Sequence, residues 1–150
     1  MSGVSASAAD AARRAPDPFV PTPAPLRLPP TAPPRLLVVV DTEEEFDWNA
    51  PPRREATAVH AMARAALLDE IFARYAIVPC WVVDWPVAAQ PDGSAPLREW
   101  HAAGRAEIGA HLHPWVNPPL DEELSARHTY PGNLPRPLET AKLARLTEKL

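Results

Sequence analysis

The sequence has 150 residues, 46% of them hydrophobic and 23% charged, with a formal net charge of −4. That length suits one modest domain with a real hydrophobic core. No stretch is rich in Lys and Arg, which argues against a nucleic-acid binder, and no apolar run approaches the roughly 18 residues of a membrane span.

The chain opens on an Ala- and Ser-rich stretch in which Arg13 and Arg14 come late. It lacks the basic start and apolar core of a secretory signal, so a cytoplasmic location is the expectation. Proline then dominates, with nine of the 21 prolines between Pro16 and Pro34. Such backbone is extended and solvated and supplies no packed core, so residues 1–34 are predicted to be a disordered Ala/Pro-rich leader.

Leu36 to Val40 is a continuous apolar, β-branched run, which predicts a strand buried on both faces, as in a parallel sheet. A polar segment, 41–55, follows. Ala56 to Tyr75 reads as a helix, with Ala61, Ala65, Leu68, Ile71, Phe72 and Tyr75 forming its apolar stripe. Ile77 to Val83 is the second predicted strand. It contains the single cysteine, Cys80, which reads as a buried structural thiol. Gln90 to Ala95 carries a Pro-Asp-Gly turn signal. A short helix is predicted over Pro96 to Ala103, ended by Gly104. Glu107 to His113 is the third strand. A Pro-rich loop leads to a closing helix, Leu138 to Leu150, with Pro137 in a first-turn position. Strands alternating with helices predict βαβ units and an α/β fold, either an open doubly wound sheet or part of a β/α barrel.

Two polar pairs fall where chemistry is done in such folds. Asp41 and Glu43 follow the first strand, and His111 and His113 end the third. Residues two apart in extended chain point to the same side. The carboxyl ends of parallel strands form one mouth, so the spacing gathers two carboxylates and two imidazoles around it. Two neutral imidazoles and one carboxylate suit a divalent metal with open positions for water and substrate, and a second carboxylate can serve as base. The spacing leaves open which acid does which. Bland alternatives exist: an acidic loop over 41–45, and two surface histidines at a strand end. His60, His101 and His128 read as ordinary surface or loop residues. Among the tryptophans, Trp81 and Trp100 read as core, while Trp48 and Trp115 are candidates to line a substrate pocket.

The stretches Leu37–Glu43 and Glu107–Pro114 resemble the first two motifs of the polysaccharide deacetylase superfamily (NodB-homology, carbohydrate esterase family 4). Together with Pro114–Pro119 and Tyr130–Pro135, they resemble most closely its WalW-type branch. The resemblance covers Leu36 to Leu150. It implies a distorted β/α barrel and a divalent metal, with zinc first among candidates. It also implies a hydrolase that removes acyl groups, chiefly N-acetyl, from a glycan or related amide, acting on C–N bonds other than peptide bonds. By that resemblance Asp41 is the catalytic base, Glu43 and His111 are metal ligands, and an acylated sugar or glycan is the partner. The family's second histidine ligand lies four residues after the first, a position held here by Trp115, so His113 is the nearest candidate.

The family's later motifs would fall beyond Leu150, and a complete barrel needs roughly 200 to 250 residues. Residues 35–150 are therefore expected to form the N-terminal part of such a barrel. Two rival readings stand beside the deacetylase. One is a metal- or glycan-binding fragment without turnover. The other is a non-haem Fe(II) oxygenase, for which two His and a carboxylate make the facial triad.

Overall fold

A computed structural model describes residues 27–150. The predicted leader lies outside the described residues over 1–26. Its described part holds a single turn, in which the Ala32 N–H donates to the Pro29 carbonyl at 2.9 Å. The chain divides between Arg35 and Leu36, and Leu36–Leu150 is a compact unit holding every described helix and strand.

Three strands, β1 (Val39–Thr42), β2 (Cys80–Val83) and β3 (Glu107–Ala110), form one parallel sheet in the order β1-β2-β3. The register runs from Val39 opposite Cys80 and Glu107 to Thr42 opposite Val83 and Ala110. A 3₁₀ helix (His60–Arg64) and α1 (Ala65–Arg74) connect β1 to β2. Helices α2 (Trp85–Ala89) and α3 (Pro91–Ala102) connect β2 to β3. A second 3₁₀ helix (Pro131–Asn133) precedes α4 (Arg136–Thr147). The fold is thus mixed α/β with a parallel sheet, in the predicted alternation. The described strands form an open sheet of three.

The core joins the sheet to the helices through Trp81, Val83, Val87, Leu97, Trp100 and Leu146. Trp81 and Trp100 are core residues as predicted, their rings 5.3 Å apart. Cys80 is half-buried with a free thiol, a correction to the buried thiol expected.

Three further expectations are corrected. The run from Leu36 is not a strand buried on both faces. Leu37 is 86% exposed, and pairing with β2 starts only at the Val38 carbonyl, which accepts from the Cys80 N–H at 2.9 Å. The reason is position: Leu36 and Leu37 precede the paired part of β1, which among the described residues is an edge strand. The helix predicted from Ala56 begins later, and its stripe holds only in part: Ala65 is buried as expected and Met62 joins it, whereas Leu68, Ile71 and Tyr75 are exposed. The 3₁₀ turn at its start winds with three residues per turn and shifts the phase of everything after it. Of the predicted stripe, Phe72 still packs edge-on against Trp81.

The Pro-Asp-Gly segment is not a turn but the first turn of α3. Pro91 lies in the opening positions, where its missing N–H costs nothing, and Asp92 faces the positive end of the helix. Gly93 is required by packing. A Cβ there would sit 2.5 Å from the Val87 carbonyl oxygen of α2. At the other end Gly104 takes φ +70°, the left-handed conformation that ends a helix.

Candidate metal centre

The three strands end side by side, and the chain leaves each with a titratable residue. Asp41 lies within β1, and Glu43 and Glu44 follow it. Asp84 follows β2, and His111 and His113 follow β3. Ladder bonding runs one step past the strands. The Asp84 N–H donates to the Thr42 carbonyl at 3.1 Å, and the His111 N–H to the Val83 carbonyl at 2.9 Å. The backbone is therefore still held where the candidate site side chains begin.

Glu43, His111 and His113 converge, with one ligand atom from each lying within 4.8 Å of the others. Glu43 Oε2 is 3.4 Å from His111 Nε2 and 3.2 Å from His113 Nε2. The two Nε2 atoms are 2.9 Å apart. A tetrahedral cation with bonds of about 2.1 Å has ligand–ligand edges of roughly 3.4 Å, which the two Glu43 distances match, while the two Nε2 atoms, at hydrogen-bond distance, would have to part to admit the ion. Asp41 stands at the rim, 67% exposed in its side chain, with Oδ1 3.6 Å from His111 Nδ1. All four predicted site residues are thus brought together.

A buried layer lies beneath. His113 Nδ1 is 2.8 Å from Glu44 Oε2 and 3.9 Å from Asp84 Oδ2. With its Nδ1 proton donated to a carboxylate, His113 presents the Nε2 lone pair toward Glu43 and His111, the tautomer a metal ligand needs. Asp84 accepts from the Glu44 N–H at 2.7 Å and caps α2 by accepting from the Val87 N–H at 2.9 Å. Burial, and then the bond shared with Glu44, push Asp84 up to about 8. Burial raises Glu44 as well, against its hydrogen bonds. Burial lowers His113, against the pull of Glu43, Asp84 and Asp41, and so favours its neutral ring. Glu44, Asp84 and His113 form a second candidate ligand group. His113 Nδ1 is already engaged there at hydrogen-bond distance, so the group fits better as the support of the first.

Reading the sequence missed Glu44 and Asp84. Asp84 carried a usable signal, since it is an acid at the carboxyl end of an apolar strand, as Asp41 is.

A cavity of about 690 Å³ opens beside the histidines, lined by Phe46, Trp48, His111, His113, Trp115 and Tyr130 among others. Both candidate pocket tryptophans line it. Trp48 is 76% exposed and packs on Phe46, with ring centroids 4.5 Å apart. Trp115 is buried and stacks on His113 at 4.3 Å and 21°. The position four residues after His111 thus supplies an aromatic plane against the neighbouring imidazole. The other histidines serve local structure: His60 pairs with Glu45, His101 bonds the Ala106 carbonyl, and His128 bonds the Glu123 carbonyl.

Among the described residues no helix is long and apolar enough to cross a membrane. Compared with known proteins, the chain matches no family model, no curated protein and no solved structure.

Proposed function

We propose that this chain carries the metal centre of a hydrolase that removes acyl groups, N-acetyl foremost, from a glycan or related amide. The observation that carries the proposal is the convergence of Glu43, His111 and His113 at the carboxyl mouth of a parallel sheet, with His113 oriented from behind by Glu44. The resemblance of Leu37–Glu43 and Glu107–Pro114 to deacetylase motifs supports the same reading. The sheet order β1-β2-β3 is compatible with a growing β/α barrel and equally with one half of a doubly wound sheet.

Glu43, His111 and His113 would hold the ion, with zinc the first candidate for a set of two imidazoles and a carboxylate. When bound, such a cation supplies the Lewis acidity that acidifies water and polarises an acyl carbonyl. The chain's own residues do the rest. Asp41, reachable at the rim, takes a proton from the attacking water. Glu44 holds His113 in its tautomer, and Asp84 holds the Glu44 backbone in place. Trp48 offers an exposed ring on which a sugar face can stack, and Trp115 walls the cavity beside His113.

The same three ligands also suit ferrous iron, so the test must separate the two chemistries. Metal analysis of the purified protein is combined with two assays. One follows acetate release from a panel of N- and O-acetylated sugars, and the other follows oxygen- and 2-oxoglutarate-dependent turnover. Stoichiometric zinc with acetate release is expected. Oxygen-dependent turnover with iron, or the absence of any bound divalent metal, overturns the proposal.

A further inference from the structure

The ammonium of Lys142 is fully buried and stands inside a cage of oxygens. It donates to the carbonyls of Pro114 at 2.9 Å, Asn117 at 2.7 Å and Pro119 at 2.5 Å, and it pairs with Glu122 Oε2 at 2.9 Å. Asn117, also fully buried, answers by donating from Nδ2 to the Lys142 carbonyl at 3.0 Å. Arg54, from the segment after β1, closes the far side by donating to the Glu122 carbonyl at 2.6 Å. Four groups on one loop, 114–122, therefore converge on a single side chain of α4.

That loop starts at the residue after His113. It turns at once, with the N–H groups of Val116 and Asn117 donating to the His113 carbonyl at 3.3 and 3.1 Å. It also carries Trp115, whose ring lies flat on the His113 imidazole. The loop lacks strand or helix over 114–122, so few backbone ladder bonds define its path. A charged side chain that bonds three of its carbonyls fixes that path far more tightly than apolar contact does, because each bond is directional and buried.

We propose that Lys142 is a positioning residue for the metal centre. By gathering the Pro114, Asn117 and Pro119 carbonyls it sets where His113 and Trp115 stand, and thereby the affinity of the site for its ion. This rests on reading Glu43, His111 and His113 as that site. The role belongs to the ammonium and not to the bulk of the side chain, which makes it separable from folding.

The test uses three proteins: the wild type, Lys142→Met, and the double variant Lys142→Met/Glu122→Leu. The single variant strands the Glu122 carboxylate in the interior, which itself destabilises. The double variant replaces the Lys142–Glu122 pair by apolar groups, which removes the stranded carboxylate. The Pro114, Asn117 and Pro119 carbonyls still lose their donor and Arg54 loses the Glu122 carboxylate, so unfolding is read beside affinity. Zn²⁺ is titrated calorimetrically into each metal-free protein. Thermal unfolding is recorded without metal, and the visible spectrum of bound Co²⁺ reports ligand geometry. The double variant is expected to unfold cooperatively, to bind Zn²⁺ about 10- to 100-fold more weakly, the scale of lost support around a ligand, and to show altered Co²⁺ bands. Undiminished affinity and unchanged bands in a folded double variant overturn the inference while leaving the metal centre intact. Loss of cooperative unfolding in the double variant also overturns it, since Lys142 is then needed for folding as such. A wild type that takes up no Zn²⁺ overturns the metal reading, and this inference with it.

Discussion

The Nδ1 atom of His113 lies 2.8 Å from Oε2 of Glu44, although the two residues are 69 positions apart and both are buried. This contact ties the end of β1 to the segment after β3. It also decides which ring nitrogen of His113 faces Glu43 and His111. An imidazole free to flip or change tautomer would offer its lone pair only part of the time.

Glu44→Ala is therefore expected to lower Zn²⁺ affinity about 10- to 100-fold, the usual cost of removing the carboxylate behind a ligating histidine. Glu44→Gln, which keeps an acceptor for the Nδ1 proton, should lose less. Calorimetric titration of both variants checks this. Equal, wild-type affinity in both would mean that Glu44 does not orient His113.

Gly93 makes a separate claim about the scaffold. Because an added Cβ would meet the Val87 carbonyl at 2.5 Å, Gly93→Ala must push α2 and α3 apart. Overpacking of this kind costs about 1–3 kcal/mol, so thermal unfolding should shift down by several degrees. Metal stoichiometry should survive, since none of the proposed ligands lies on either helix, and Asp84, which caps α2 and holds the Glu44 backbone, precedes the helix. An unchanged midpoint would show that the two helices part without cost.

What could be read in advance follows from how local each signal is. Asp41, Glu43, His111 and His113 are period-two pairs at the ends of apolar runs, and extended backbone alone puts each pair on one side. Asp84 ends an apolar run too, but Pro86 stands two residues on, so no second polar residue marks it. Glu44 sits between Glu43 and Glu45. Which of three consecutive acids turns inward is decided by Asp84 and His113, 40 and 69 residues away. Lys142 lies on a helix, where a lysine ordinarily reads as solvent-facing. Only a loop without periodicity, closing over it, reverses that. The exposed start at Leu36 shows the same limit, because an apolar run does not say whether its strand lies at the edge or the centre of a sheet.

Asp84 gives the metal-free protein a pH signature. Its folded-state value of about 8 stands far above the ordinary aspartate value of about 3.9 that the unfolded chain has. Over the interval between them the folded state holds a proton that the unfolded state releases, so stability is lost as pH rises. His113, lowered by burial, acts in the opposite sense below its ordinary value of about 6.5. Glu44, raised by burial, reinforces Asp84. Lys142, lowered by burial, opposes this below its ordinary value of about 10.4, so the window to examine is about pH 6.5 to 8, where Asp84 alone contributes a fall of about 1.4 kcal/mol per pH unit. Denaturant midpoints of chelator-treated protein across that window measure it. A flat or rising profile would show that Asp84 does not dominate that window.

Asp41 and Glu43 are carboxylates two residues apart, yet their surroundings differ in the way the two proposed tasks require. Glu43 Oε2 reaches both Nε2 atoms, at 3.4 and 3.2 Å, from a side chain that is mostly covered. Asp41 faces the opposite nitrogen of His111, Nδ1, at 3.6 Å, and is largely open to solvent. A base must meet water and stay clear of the coordination sphere, and its short side chain holds it at a fixed distance. Asp41→Asn preserves shape and removes the proton acceptor. If the proposed hydrolase reading holds, it should cost about 10²–10⁴ in turnover, with metal content near that of the wild type. Glu43→Gln replaces an anionic ligand by a weak neutral one and should lower metal content first, with activity falling in step. Turnover and metal content measured on the same preparations separate the two. Metal lost with Asp41→Asn and kept with Glu43→Gln would reverse the assignment. Asp41 would then be the ligand, which would require His111 to present Nδ1, not Nε2, to the ion.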